Sequence, residues 1–311
     1  MKRVLLIFLF LFASLLYSIA CVNGLTRELK DGTVVSMDLR GEHSKYIPMG
    51  YLIFNSDKAL KRLDSLWKTT KDVDYLSDYA VVLIFQHEYK KARDIYLKIE
   101  KIKPDQYATA ANLGTAYELL GDNNNALKWI RKSVQINPAS HDSSEWVHVN
   151  ILEAKIKGDK FYTSDFLLKT NFGNDSIPVS ALSNTELIKL SDALAFQLNE
   201  RVYFTNPLDN DKIVAQLLFD LANVLTLLEN KKDALAVYKI ARKYGYSGPL
   251  LDSRMNYVKS KLIADTDSLQ AISKPVLQTP VSESDYTLFY ILGVGASILS
   301  IGGFFFFKRK K

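Results

Sequence analysis

Apolar and small residues recur along this chain at a fixed spacing. The stretch that ends at Pro104 and the stretch that ends at Pro138, 34 positions later, carry them at the same offsets. The matched pairs are Ala80/Gly114, Leu83/Tyr117, Ala92/Ala126 and Tyr96/Ile130. Such a period predicts a stack of similar supersecondary units, because one unit cannot bury its apolar face without a neighbour.

Within one unit, the pattern predicts two antiparallel helices joined by a tight turn. Small residues at Gly114, Ala126 and Ser133 would lie where the two helices cross, so that the helix axes can approach closely. The pair Gly121-Asp122 predicts the turn, with Asp122 as the cap of the second helix. The proline that follows ends that helix, because it cannot continue the hydrogen-bond pattern.

Residues 73–106 and 107–140 resemble two tandem tetratricopeptide repeats, and residues 215–248 fit the same frame as a third. The third unit carries the matching positions Leu221, Ala222, Leu225, Ala234, Tyr238 and Ala241. The resemblance implies an all-α helical solenoid, coiled as a right-handed superhelix. It also implies a concave face that holds another protein, since repeats of this kind build extended binding surfaces.

Residues 21–72 are expected to form a β-hairpin followed by a capping helix. The segment from Leu25 to Met37 alternates in polarity around Asp31-Gly32, which is a strong hairpin turn signal. Ser56-Asp57 then predicts the capped start of a helix that runs to about Thr69. This helix would close the exposed end of the first repeat.

Residues 141–214 read as a degenerate helical repeat with an inserted loop. Helices are predicted for residues 145–157 and 184–201, and the irregular residues 158–183 lie between them. After the third repeat, residues 249–264 are expected to form a final capping helix. Residues 265–285 are rich in Ser, Thr, Pro and Gln and are predicted to be a flexible linker.

The two ends of the chain predict export and a membrane anchor. Residues 1–20 begin with Lys2 and Arg3, continue with an apolar run and end at Ala20, which is the pattern of a signal peptide. The 22 residues from Tyr286 to Phe307 carry no charge and would span about 33 Å as a helix. The basic residues 308–311 should stay cytoplasmic, which places the repeats on the extracytoplasmic side, periplasmic in a bacterium.

The charge of the chain argues against a nucleic-acid partner. Its net charge of +6 equals the two positive charges of Lys2 and Arg3 plus the four positive charges of residues 308–311. The segment between the two ends is therefore formally neutral, and it has no basic excess with which to bind phosphates.

Two features bear on the attachment of the protein to the membrane. Cys21, the only cysteine, excludes an intrachain disulfide, and it follows Ala20 either as a lipoprotein-type attachment site or as the first residue after plain cleavage. The candidate membrane helix contains the small residues Gly293, Ala296, Ser297 and Ser300, which would allow a homodimer to form through it.

Candidate chemistry is sparse. His141, Glu145 and His148 would share one helical face and could bind a zinc ion, but they equally suit an ordinary polar helix start. No H-E-x-x-H, P-loop or G-x-S-x-G motif occurs. We therefore predict a protein that is not an enzyme and has no cofactor. A metal-dependent hydrolase would rest on the histidine cluster alone.

In the tetratricopeptide family, ligands contact the inner face of the first helix of each unit. The resemblance carries this role to Ser77, Val81, Asn112, Thr115, Glu118 and Asn223. These positions are expected to be exposed, so that alanine at Asn112 and Glu118 would weaken partner binding without lowering the melting temperature. No Lys or Arg occupies the inner face, so a grip on a terminal carboxylate is not expected there.

The expected function is that of an extracytoplasmic, membrane-anchored scaffold or adaptor that holds a segment of a partner protein in the groove of the repeats. The alternative is a sensory or regulatory ectodomain that controls an assembly in the cell envelope.

Overall fold

The N-terminal part of the described chain is a small antiparallel sheet. The computed structural model describes residues 26–37 and 44–273 of the chain. Strand β1 (Thr26–Glu28) pairs with β2 (Val34–Met37), and β2 also pairs with β3 (Tyr51–Ile53). Gly32, with a φ of 86°, lies in the β1–β2 turn, a conformation that glycine adopts without strain. The predicted hairpin is confirmed, and the third strand was not predicted.

A run of antiparallel helices follows the sheet. These are α1 (Ser56–Thr70), α2 (Val73–Phe85), α3 (Tyr89–Ile102), α4 (Tyr107–Leu119) and α5 (Asn123–Ile136). The pairs α2–α3 and α4–α5 are the helical hairpins that the 34-residue period predicts. Asp122 caps α5 by accepting a hydrogen bond from the backbone of Asn125, as predicted. The N-cap of α1 is Asn55, so the predicted cap at Ser56 is wrong by one position.

The crossing of α4 and α5 shows why small residues recur in the repeat. A Cβ atom added to Gly114 would lie 2.5 Å from the Cδ1 atom of Ile130 and 3.2 Å from the Ile130 backbone nitrogen. Ala80, Ala92 and Ala126, which occupy the other matched small positions, are fully buried. Close approach of the helix axes therefore depends on the absence of side-chain volume at these points.

The degenerate repeat is built from helices of unequal length. These are α6 (Ser140–Ser143), α7 (Glu145–Lys157), α8 (Ser164–Leu168) and α9 (Asn184–Phe204), with a short 3-10 turn at Asp159–Phe161. The predicted insertion, residues 158–183, thus contains one 3-10 turn and one short helix. Ser183 and Glu186 form a capping box that fixes the start of α9. Helix α9 is three residues longer than predicted, ending at Phe204.

The third helical hairpin follows a 3-10 turn at Pro207–Asp209 and consists of α10 (Lys212–Leu227) and α11 (Lys231–Lys243). The last helix, α12 (Pro249–Ser273), is longer than predicted, so the flexible linker expected from residue 265 is wrong over its first nine positions. Residues 265–273 contain no Gly or Pro, and the first residue that disfavours a helix is Pro275. One compact unit ends at Leu262, and a second begins at Ile263 within this helix.

Buried apolar side chains form two large clusters in the first unit. One joins the sheet to α1, α2, α3 and α4, and includes Leu29, Val35 and Tyr51. The other joins α7, α8, α9, α10, α11 and α12, and includes Leu194 and Leu217. The mostly helical fold with a small β element is thus confirmed.

The predicted signal peptide (residues 1–20), Cys21 and the predicted membrane helix from Tyr286 to Phe307 lie outside the described residues. Within residues 26–37 and 44–273, no helix combines the length and the apolar character that crossing a membrane requires.

We expect Gly114→Leu to unfold the second repeat. The added side chain has no space against Ile130, and overpacking of this kind typically costs about 1–3 kcal/mol, and more where the backbone is also in contact. Thermal or urea unfolding followed by circular dichroism measures the loss. Asn124→Leu, which adds the same side chain at an exposed position of α5, should leave the free energy of unfolding nearly unchanged. Equal stability of the two variants would contradict the predicted helix crossing.

Candidate functional site

The residues predicted to line an open groove are not exposed. Ser77, Val81, Asn112, Thr115 and Asn223 are 0–7% exposed, and the side chain of Glu118 is 9% exposed. The prediction of an accessible inner face over all three repeats is therefore wrong, and alanine at Asn112 or Glu118 is not a surface change. The physical reason is that other segments of the chain pack against this face.

The sheet covers the inner face of the first repeat. The backbone nitrogen of Lys30, in the β1–β2 turn, donates a 2.6 Å hydrogen bond to the Asp78 carboxylate on α2. The Lys30 ammonium pairs with Asp72 at 2.5 Å and with Asp74 at 3.0 Å. Ser77 lies beside Asp78, and its carbonyl oxygen accepts a hydrogen bond from Tyr96 of α3. The hairpin therefore occupies the place where a ligand was expected.

Helix α9 covers the inner face of the second repeat. The Thr115 hydroxyl donates to Glu200 at 3.2 Å, and the guanidinium of Arg201 lies 3.3 Å from the Glu118 carboxylate. Asn112 is held from the other side, because its amide donates a 2.9 Å hydrogen bond to the hydroxyl of Tyr96. Four of the residues predicted to bind a partner in the first two repeats thus have contacts within the chain.

Helix α9 also ties the sheet to the repeats. The side-chain oxygen of Asn199 accepts hydrogen bonds from the backbone nitrogens of Met49 and Gly50, at 3.0 and 3.2 Å. A Cβ atom at Gly50 would lie 3.3 Å from the backbone of Tyr203, so glycine permits this close approach. The Tyr203 hydroxyl donates to the carbonyl oxygen of Phe85 at the end of α2.

Glu118 is the centre of a buried ionic cluster. Its carboxylate lies 2.6 Å from His148, 2.6 Å from Lys155 and 3.3 Å from Arg201. Burial opposes the charge of Glu118, but these three cations hold its pKa well below its usual range. Burial likewise opposes protonation of His148, but the charge and hydrogen bond of Glu118 outweigh it and raise the His148 pKa to about 9. Three helices, α4, α7 and α9, therefore meet at one carboxylate.

His148, one member of the histidine cluster predicted from the sequence, contacts this carboxylate. His148 faces Glu118 through Nε2, and its Nδ1 lies 3.6 Å from Glu145. The side chain of His141 lies outside what the structure describes. In residues 26–37 and 44–273, no group of three His, Cys, Asp or Glu side chains could hold a metal ion. The described residues therefore provide no arrangement of ligands that supports the zinc hypothesis.

The inner face of the third repeat borders an open pocket. The pocket measures about 320 Å³ and lies between the inserted segment, the first helix of the repeat and α12. Gln216, Phe219 and Asn223 on α10 line one wall. The opposite wall consists of Thr163, Ser164, Asp165, Asn171, Phe172, Gly173 and Asn174. Of the residues predicted to contact a partner, Asn223 is one that the structure brings to an open cavity.

Hydrogen bonds fix the inserted segment to α10 beside this pocket. The Ser164 hydroxyl donates to the Asp220 carboxyl at 2.7 Å, and the Gln216 amide donates to both Ser164 and Asp220. Burial of Asp220 raises its pKa to about 7. The wall of the pocket is therefore held in place before any ligand arrives.

Arg254 of α12 also lines the pocket, and the sequence analysis did not predict a role for this residue. Its guanidinium lies 5.2 Å from the centre of the Phe219 ring, which stacks on Tyr246 at 4.1 Å. Arg254 lies outside the repeat period, and no local pattern marks it. The described lining combines polar and aromatic side chains, as binding pockets commonly do.

A match to a known family supports the repeat assignment for one helical hairpin. Residues 108–140 match the family model described as tetratricopeptide repeat. A solved structure titled "TPR2AB-domain:pHSP90-complex of yeast Sti1" resembles the chain at 15% sequence identity and a TM-score of 0.31, covering 68% of this chain and 90% of that chain. No curated protein matches the chain. The family match covers α4–α5, and α2–α3 and α10–α11 are also helical hairpins.

The free energy of unfolding should fall as the pH rises from about 6.5 to about 9. The folded protein holds His148 protonated with a pKa of about 9, whereas the unfolded chain has the ordinary value of 6.5. Stability from this group is complete below pH 6.5 and is lost through the folded pKa, by about 3 kcal/mol in total. Urea unfolding at a series of pH values measures it.

Two histidine variants separate this effect from general alkaline loss. His148→Gln should be less stable at pH 6 and should lose most of the pH dependence between 6.5 and 9. His87→Gln, at an exposed position, should keep the dependence of the unchanged protein. If the unchanged protein shows a flat free energy of unfolding over this range, the ion pair between His148 and Glu118 is not formed.

Proposed function

We propose that this protein is a protein-binding scaffold whose partner segment docks at the pocket between the inserted segment and the third repeat. One observation carries the proposal: the inner faces of the first two repeats are covered by β1–β2 and α9, whereas the third borders an open cavity. Repeats of this type use their inner face to bind other proteins. The open part of that face is therefore the site best placed for a partner.

The pocket has the properties of a preformed binding site. Its volume of about 320 Å³ falls within the range of ligand pockets, and its wall combines Phe219 and Tyr246 with polar groups. Ser164 and Gln216 fix the inserted segment in place, so binding would not require ordering of the receptor. A short segment of a partner chain could place one or two side chains in a cavity of this size.

Site-specific photo-crosslinking tests the location of the partner. A photoreactive residue at Asn171 or Asn174, both exposed at the pocket rim, should give a discrete adduct in intact cells. The same residue at Lys128, exposed on the second helix of the second repeat, should give none. An adduct that forms from Lys128 and not from the two rim positions would overturn the proposed site.

We further propose that the scaffold is held at the extracytoplasmic face of a membrane by the segment from Tyr286 to Phe307. Support comes from the sequence: this run carries no charge, the basic residues 308–311 follow it, and residues 1–20 have the pattern of a signal peptide. The partner would then be a protein of the same compartment or of the same membrane.

Protease accessibility tests this placement. Protease added to sealed cells or spheroplasts should digest the repeats between Tyr107 and Pro138, because that region would face the outside. A cytoplasmic protein measured in the same sample serves as the control for intact membranes. Protection of the repeats until the membrane is opened would show that the orientation is reversed or that the protein is not exported.

A further inference from the structure

A pocket lined by apolar and basic side chains lies between the sheet and α1. It measures about 260 Å³, and we call it the α1 pocket. Phe54, which follows β3, and Val34 of β2 line it and remain 65% and 44% exposed. Lys58 and Arg62 of α1 line the same pocket one helical turn apart. Apolar and cationic surface therefore lie side by side in contact with solvent.

The basic side chains of this surface have no counter-ion in the described chain. Lys58, Arg62 and their neighbour Lys61 are all exposed. None of the three forms an ion pair within residues 26–37 and 44–273. Their charges are therefore available to an anion that approaches from solvent.

The acidic residues beside the pocket are engaged in other contacts. Asp31, which lines the pocket, is buried, and its carboxylate accepts hydrogen bonds from the backbone nitrogen and the hydroxyl of Thr33. Asp57, in the first turn of α1, accepts a 2.7 Å hydrogen bond from the side-chain amide of Gln86 on α2. The three exposed cations of α1 thus give this face a net positive charge.

An anionic membrane surface matches this combination of groups. Cations attract anionic headgroups, and an exposed aromatic ring enters the boundary between the headgroups and the acyl chains. The length of the chain also keeps the domain close to a bilayer. Residues 274–285 separate α12 from the proposed membrane segment, and these 12 residues can span at most about 43 Å.

We propose that the α1 pocket binds the headgroup phosphate of an anionic membrane lipid, with Lys58 and Arg62 as the cations and the Phe54 ring at the boundary to the acyl chains. Arginine suits this role because its guanidinium can donate to two phosphate oxygens at once. The inference rests on the proposed placement at a membrane. It goes beyond that placement, since a second contact with the bilayer would orient the folded domain relative to the membrane surface.

Photo-crosslinking to lipids tests the proposal in the full chain. An aromatic photoreactive residue at position 54, in vesicles that contain phosphatidylglycerol and phosphatidylcholine, should form an adduct with phosphatidylglycerol that mass spectrometry identifies. Vesicles of phosphatidylcholine alone should give several-fold less lipid adduct. The same photoreactive residue at Leu208, which is 84% exposed and lies outside the α1 pocket, should give none.

Charge variants connect the adduct to the pocket. A basic residue near an anionic surface contributes roughly a fivefold change in binding, so Lys58→Gln with Arg62→Gln should lower the adduct yield about tenfold or more. Lys58→Arg with Arg62→Lys keeps both charges and should keep the yield. Lys239→Gln with Lys243→Gln removes the same charge at two exposed positions one turn apart on α11, and it should change nothing. Circular dichroism confirms that each variant is folded.

The proposal is overturned if position 54 reacts equally well in both kinds of vesicle, or if the folded Lys58/Arg62 glutamine variant keeps the full yield. An adduct from position 54 to a protein and not to a lipid, in intact cells, would also overturn it. Alkaline extraction of the vesicles measures anchoring separately. A chain that is released but gives the phosphatidylglycerol adduct would remove the proposed anchor and leave the lipid site. A chain that is retained without the adduct would do the reverse.

Discussion

The structure depends on the ion cluster around Glu118. Three cations from two other helices converge on this carboxylate, and the side chains of Glu118, His148 and Arg201 are too buried for water to replace a missing partner. Removal of one member of a buried ion cluster typically costs about 3–5 kcal/mol, because it leaves the others unpaired. The ion pairs that hold Glu118 therefore also fix the positions of α7 and α9 against the second repeat.

This constraint decides which faces of the helical hairpins are covered. Arg201 brings α9 across the inner face of the second repeat, and Asn199 and Tyr203 extend the same helix to the sheet and to the first repeat. Helix α9 also contributes Leu194 and Leu198 to the C-terminal apolar cluster. Helix α9 is thus packed against the sheet and the first repeat and also against the C-terminal apolar cluster. It is not a loosely held segment that a partner could displace. Helix α9 also packs against α10, but it contributes no residue to the pocket between α10, α12 and the inserted segment.

The sequence predicts structure formed by residues that are close together in the chain. It does not predict contacts between residues that are far apart in the chain. Gly114 and Asp122 encode a helix crossing and a cap within one 34-residue unit, so the repeat could be found by its period. Arg201 pairs with Glu118, which lies 83 positions earlier in the chain. A pattern of apolar residues does not indicate which helix will cover a polar inner face. The resemblance to a family with an open groove predicted exposure at Glu118, and tertiary packing overrode it.

Two asparagines show how the same reasoning separates structure from function. Asn112 donates to the Tyr96 hydroxyl, and its neighbours Thr115 and Glu118 contact α9 and α7, so its polar surroundings are accounted for within the chain. Asn223 accepts from the Tyr238 hydroxyl, lies beside Asp220 and borders the pocket that Arg254 also lines. Both asparagines are thus buried and contact polar groups of the chain. They differ in that helix α9 covers the surroundings of Asn112, whereas Asn223 borders a pocket.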